Sequence, residues 1–142
     1  MDYDEQHQTT LNHAVSLIRE NVDNLVAILV FGSFGSKYER EDSDLDLAII
    51  TKENTGALDP VRLWKLAQTI AIKINRDVDL IDLREASTVL NFQVLSTGTL
   101  LHCTDELGFA KYDALMLSMY LRFQEERKEI LEDFDKKASH GR

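Results

Sequence analysis

Apolar positions recur along the chain with two different periods, and the places where the period changes mark out its elements. Leu11, Ala14, Val15, Ile18 and Val22 return at three- and four-residue intervals, which predicts an amphipathic helix ending near Asn21 to Asn24. Leu25 to Phe31 is a short, continuous apolar run closed by Gly32, the pattern of a strand buried on both faces. A polar stretch from Ser33 to Ser43 follows. Asp44 to Thr51 then alternates as Asp-Leu-Asp-Leu-Ala-Ile-Ile-Thr, a second strand able to pair with the first as a hairpin.

Asp59-Pro60 combines an N-cap residue with proline at the first helical position, so a helix is predicted from there to about Asn75, with Val61, Trp64, Ala67, Ala71 and Ile74 on its core face. Asp77 to Ile81 reads as a third strand. Asp82-Leu-Arg-Glu85 is a capping-box pattern that opens another helix toward Leu95, and Leu100 to Cys103 reads as an edge strand. Beyond Asp105 a long helix is expected over about 105–137. It is apolar at Tyr112, Leu115, Met116, Met119, Tyr120 and Phe123 and thins to Ile130, Leu131 and Phe134 amid charges, with Lys136 to Arg142 frayed. With no repeat or low-complexity linker, residues 1–142 are expected to form a single α/β (α+β) unit, a small mixed sheet flanked by helices.

Composition narrows the function classes. A length of 142 residues with 44% hydrophobic content suits one core, and a formal charge of -9 argues against a general nucleic-acid binder, which meets phosphates with clustered Lys and Arg. A protein partner is the easier expectation. The single cysteine, Cys103, excludes an intrachain disulfide and the usual cysteine zinc sites, and is read as a core filler. The acidic start lacks the basic and apolar regions of a signal peptide, and the purest apolar run is far short of the roughly 20 residues that cross a bilayer. A cytoplasmic protein with no membrane contact is expected. His7, His13, His102 and His140 are scattered without ligand spacing and read as surface or partly buried residues.

The chemistry concentrates between Gly32 and Asp46, Gly-Ser-Phe-Gly-Ser-Lys-Tyr-Glu-Arg-Glu-Asp-Ser-Asp-Leu-Asp. Asp44 and Asp46 stand two apart at a strand start, so their carboxylates project to one face with Cα atoms roughly 6.5 to 7 Å apart. Adjacent negative charges are costly unless a hard cation such as magnesium neutralises them. Asp77 and Asp79 share a face of the third strand, and one of them, with Asp79 the deeper, is able to join the pair if the strands are neighbours. Three carboxylates suffice for two metal ions roughly 3.5 to 4 Å apart, one activating an acceptor hydroxyl and one clamping a triphosphate. Gly32 permits close backbone approach, and Ser33 with the following amides is a donor set for phosphate oxygens. The spacing matches neither a Walker A loop nor a Gly-x-Gly-x-x-Gly fingerprint.

Gly32-Ser33, Asp44-Leu45-Asp46 and Asp77-Val78-Asp79 in this order resemble the signature of the polymerase beta-like nucleotidyltransferases, and most closely the minimal nucleotidyltransferase (MNT) family. The resemblance extends over nearly the whole chain, through Ser43-Asp-Leu-Asp-Leu, Val78-Asp-Leu-Ile and the charged helix with Glu125-Glu-Arg-Lys128. It implies magnesium, two ions, held by Asp44, Asp46 and Asp79, and a triphosphate held at Gly32 and Ser33. Many such proteins are antitoxins paired with a HEPT-domain ribonuclease, so the resemblance further implies transfer of AMP from ATP to a tyrosine of a toxin partner. Many relatives carry Ala-Arg-Gly where this chain has Gly35, Ser36 and Lys37; the arginine is missing, and Lys37 or Arg40 are the candidates to supply its charge. Two other readings stay open: a non-catalytic antitoxin that neutralises by covering its toxin, and the same chemistry directed at a small-molecule acceptor of the aminoglycoside type.

Overall fold

The computed structural model describes residues 3–40 and 43–140. Helix α1 (Glu5–Asn21) leads into β1 (Leu25–Phe31) and β2 (Leu45–Thr51); α2 (Pro60–Ile74) crosses to β3 (Val78–Asp82); a 3-10 turn (Leu83–Glu85), α3 (Thr88–Thr97), β4 (Thr99–Cys103) and α4 (Glu106–His140) complete the order. The four strands form one sheet in the order β3-β2-β1-β4. β1 pairs antiparallel with both β2 and β4, as a hairpin with the former, whereas β2 and β3 are parallel. A parallel pair needs a crossover, and α2 provides it. The expected α/β class with a mixed sheet and a long last helix is the observed one.

Helices cover both faces of the sheet, which is why β1 reads as a continuous apolar run and why β2, read as alternating, is buried at every position but Asp46. On one face Leu11, Ala14 and Ile18 of α1 and Leu66, Ala67 and Ile70 of α2 pack against Ile28, Val30, Leu45, Leu47 and Ile49. On the other, Val94 of α3 and Tyr112 of α4 meet Val26, Leu29, Ala48 and Ile50.

Several boundaries differ from the sequence expectation for identifiable reasons. α1 begins at Glu5, a turn and a half before its first core residue, because the Asp4 side chain caps it by accepting from the His7 amide at 2.8 Å. Val61 and Trp64 are not core residues: Trp64 is 63% exposed, and α2 buries Leu66, Ala67 and Ile70, with Leu63 and Ile74 partly buried beside them. Leu63, Leu66, Ala67, Ile70 and Ile74 keep to one helical stripe, while a repeat of three from Val61 drifts off it. Asp82 caps the short 3-10 turn through the Arg84 amide, and α3 starts afresh at Thr88 under a Ser87 cap. Asn91 bridges the restart, its side-chain amide donating to the carbonyls of Leu83, Ala86 and Ser87 across the break. Cys103 lies half-buried on the edge strand rather than inside the core. The last helix continues through His140, so Lys136 to His140 are helical; Gly141 and Arg142 lie outside the described residues, as do Met1, Asp2, Glu41 and Asp42.

Among the described residues no helix is long and apolar enough to cross a membrane. From Leu121 to Ala138 every α4 residue is exposed, including Leu121, Phe123, Ile130, Leu131 and Phe134.

Candidate active site

The parallel β2–β3 pair decides which acids meet. Asp46 and Asp79 occupy the same register position on neighbouring strands, so both carboxylates project from one sheet face. Asp44 lies two residues earlier, just ahead of β2, and Asp77 precedes β3, its carbonyl accepting from the Leu45 amide at 2.8 Å. Of the two acids left open by the sequence, Asp79 is thus the one set opposite Asp46.

Gly32 ends β1 with φ 75, a conformation that side-chain-bearing residues rarely adopt, next to the in-register pair Phe31 and Asp46. A Cβ at this position would run into the Asp46 carboxylate, so glycine is what allows that acid to lie against the backbone. Ser33 follows half-buried and opens a chain of turns, its carbonyl accepting from the amide and the hydroxyl of Ser36.

Asp46 is the half-buried acid of the group, whereas Asp44 and Asp79 are exposed. Burial first, and then the negative charges of Asp79 and Asp44, push its carboxyl up to about 6. Such a group keeps its proton to a higher pH than an ordinary carboxyl, and positive charge placed beside it favours the ionised form. Among the described residues, no three His, Cys, Asp or Glu side chains are drawn into a closed ligand set. The hard oxygen donors of Asp44, Asp46 and Asp79 suit a divalent cation of the magnesium type.

Lys37 and Arg40 are both exposed; the Lys37 ammonium lies 5.1 Å from the Tyr38 ring centroid, and the Arg40 amide donates to the Ser43 hydroxyl. No described contact brings either side chain to the acids. Sequence reasoning passed over Phe34, Glu39 and Arg76 and read His7 only as a surface or partly buried residue; together the four hold the loop after Ser33. Phe34 is buried, and Glu39 accepts from Nε2 of His7 at 2.7 Å, from the Gly35 amide at 2.8 Å and from Arg76 at 3.1 Å. The available signal was an apolar residue and a carboxylate inside an otherwise solvent-facing polar stretch.

A strand, a glycine-serine turn and an in-register acid pair beside it define a nucleotidyltransferase, and residues 12–107 match the family model described as polymerase beta, nucleotidyltransferase. The chain belongs to that family. It is 39% identical over 129 residues to the protein adenylyltransferase MntA of Shewanella oneidensis, covering 89% of this chain and 88% of that one. A crystal structure of a toxin-antitoxin with AMP-PNP superimposes with a TM-score of 0.76 at 36% identity, covering 87% of this chain and 96% of the other. The MNT antitoxin in complex with a tri-AMPylated Shewanella oneidensis HEPN toxin gives 0.74 at 36% identity, covering 90% and 98%. Spectinomycin adenyltransferase from Enterococcus, at 17% identity, shares the fold.

Proposed function

We propose that the chain is the antitoxin of a toxin-antitoxin pair, a protein adenylyltransferase that moves AMP from ATP to a tyrosine hydroxyl of a HEPT-domain ribonuclease toxin and so inactivates it. The observation that carries the reading is the Asp46–Asp79 pair, in register on parallel strands and beside the Gly32 turn. Similarity over nearly the full length to a protein adenylyltransferase supports the acceptor class.

Asp44, Asp46 and Asp79 would hold magnesium, and their oxygen chemistry fits it. When bound, magnesium supplies the charge that neutralises the triphosphate and lowers the acceptor hydroxyl's pKa. Gly32 and Ser33, with the amides that follow, orient the triphosphate across the end of β1. The tyrosine oxygen then bonds to the α-phosphorus, the bond to the bridging oxygen of the β-phosphate breaks, and pyrophosphate leaves. The phenolic proton passes to bulk water. The chain contributes positioning and electrostatics rather than a covalent intermediate.

The toxin needs a surface to hold, and the exposed apolar residues of α4, Leu121, Phe123, Ile130, Leu131 and Phe134, offer one. The single unit expected from the sequence, residues 1–142, then consists of a catalytic body and this helical extension. A cytoplasmic site of action accords with such a partner.

Purified chain, its toxin partner, magnesium and ATP are incubated together and the intact mass of both proteins is recorded. Toxin mass rising by AMP units, and failing to rise with the Asp44→Asn, Asp46→Asn double variant, is the expected result. Complex formation without any mass increase would favour neutralisation by binding.

A further inference from the structure

The loop that leaves Gly32–Ser33 is turned three times by short-range hydrogen bonds, Ser36 to Ser33, Glu39 to Ser36 and Ser43 to Arg40, none of which ties it to the rest of the molecule. Among the described residues, the side chains of Phe34 and Glu39 make that tie. Phe34 is inserted beneath the loop, edge-on to His7 with ring centroids 4.9 Å apart and covered by the Arg76 guanidinium at 4.9 Å. Glu39, whose side chain is only 15% exposed, binds partners from three segments: His7 in α1, Gly35 in the loop, and Arg76 at the junction of α2 and β3.

Both imidazole nitrogens of His7 face carboxylates, Nδ1 toward Asp4 and Nε2 toward Glu39, each at 2.7 Å. Each contact needs an N–H, so the ring is the imidazolium. The cluster then contains two anions, Asp4 and Glu39, and two cations, His7 and Arg76. Its charge is balanced internally, and Arg76 is committed to Glu39 rather than free to meet a triphosphate. That removes Arg76 as a stand-in for the arginine missing at Ser36. Its place in the chain gives it a different use, because Arg76 precedes Asp79 by three residues. A carboxylate that grips both the Gly35 amide and Arg76 therefore fixes the phosphate-binding loop relative to the strand that carries the third acid.

We propose that Glu39 is a positioning residue of the transferase, holding the loop from Ser33 to Arg40 against α1 and the start of β3 so that the Gly32–Ser33 turn and the Asp46–Asp79 pair keep one spacing. The inference rests on the adenylyltransferase reading above. Misplacing a reacting group by about 1 Å costs on the order of 100-fold in rate, so holding the loop matters without contact to substrate.

The test measures AMP transfer to the toxin, KM for ATP and kcat, in the wild type, Glu39→Ala, Glu39→Gln and Arg76→Gln, with circular dichroism reporting the folded fraction at assay temperature. Glu39→Ala is expected to remain folded, to raise the KM for ATP and to lower kcat/KM about 10- to 100-fold. Glu39→Gln keeps an acceptor for the Gly35 amide and recovers part of the loss, and Arg76→Gln falls between. Transfer by Glu39→Ala equal to wild type, or lost only in proportion to the unfolded fraction, would overturn the positioning role. A wild type that transfers nothing would overturn the transferase reading and this inference with it.

Discussion

The hydroxyl of Tyr112 donates a hydrogen bond to Oδ1 of Asn91, 2.5 Å away in the interior, and so joins α4 to α3. Asn91 in turn donates to three carbonyls between the 3-10 turn and α3, at 2.8 to 3.3 Å, so both ends of its side-chain amide are engaged. Burial, with the nearby Asp82 charge adding to it, pushes the Tyr112 hydroxyl up to about 12 against the opposing pull of Arg84. Replacing Asn91 by Leu removes the side-chain donor from those carbonyls and the acceptor from the buried Tyr112 hydroxyl, and is expected to cost about 2 to 4 kcal/mol, and Tyr112→Phe about 1 to 2 kcal/mol. Urea unfolding midpoints check both, and AMP transfer per folded molecule should hardly change.

Gly32→Ala places a methyl group against the Asp46 carboxylate and holds a non-glycine residue at positive φ. About 1 to 3 kcal/mol of stability should be lost. Transfer should fall on the order of 100-fold, because the displaced acid belongs to the reacting group. Kinetics and denaturation of the same preparation separate the two effects.

Asp46 makes the metal-free protein sensitive to pH in a definite direction. Its folded-state pKa, about 6, lies above the ordinary 3.8, so between these values the folded state binds more proton than the unfolded one, and this group's contribution to stability falls as pH rises. Asp46→Asn should therefore stabilise the protein at pH 7 in EDTA, by about 1 to 2 kcal/mol once screening by water at a partly open site is allowed for. The advantage should vanish below about pH 4. Denaturation curves of both proteins across that range decide it, and a constant difference at every pH would contradict the assignment.

Leu131 and Phe134 on α4 are 54% and 68% exposed, so converting both to Asp should leave the unfolding midpoint of the isolated chain nearly unchanged, within about 0.5 kcal/mol per site. If the toxin is held there, its affinity should drop at least tenfold. Calorimetric titration of the two proteins measures this directly.

Much of the architecture was written in the apolar pattern. The run Leu25–Phe31 read as a buried strand because helices cover both sheet faces, Asp44–Thr51 read as an alternating strand although β2 is buried at nearly every position, and Asp59-Pro60 marked the start of α2 within a residue. Asp44, Asp46 and Asp79 were legible as acids at strand starts. What brings Asp79 rather than Asp77 opposite Asp46 is strand register, a tertiary fact without a local sequence signal. Trp64 was misplaced because a large apolar residue at helical spacing looks like core, although the burial stripe of α2 passes through Leu66 and Ile70 instead. The Glu39 cluster escaped notice because its partners, His7 and Arg76, stand 32 and 37 residues away in sequence.

β3 is a five-residue strand at the margin of the sheet, hydrogen-bonded to β2 alone, and the like charges of Asp46 and Asp79 lie across that seam. The seam is therefore where the empty protein should fray first, since an outer strand has few bonds to lose and electrostatic tension to relieve. A ligand bridging the two carboxylates turns the tension into a stitch. Substrate occupancy would then be felt as mechanical firmness of the sheet margin, with slower amide exchange along Val78–Asp82 and a melting temperature that climbs with ligand concentration. Catalysis and the integrity of the outermost strand would thus be secured by one and the same event.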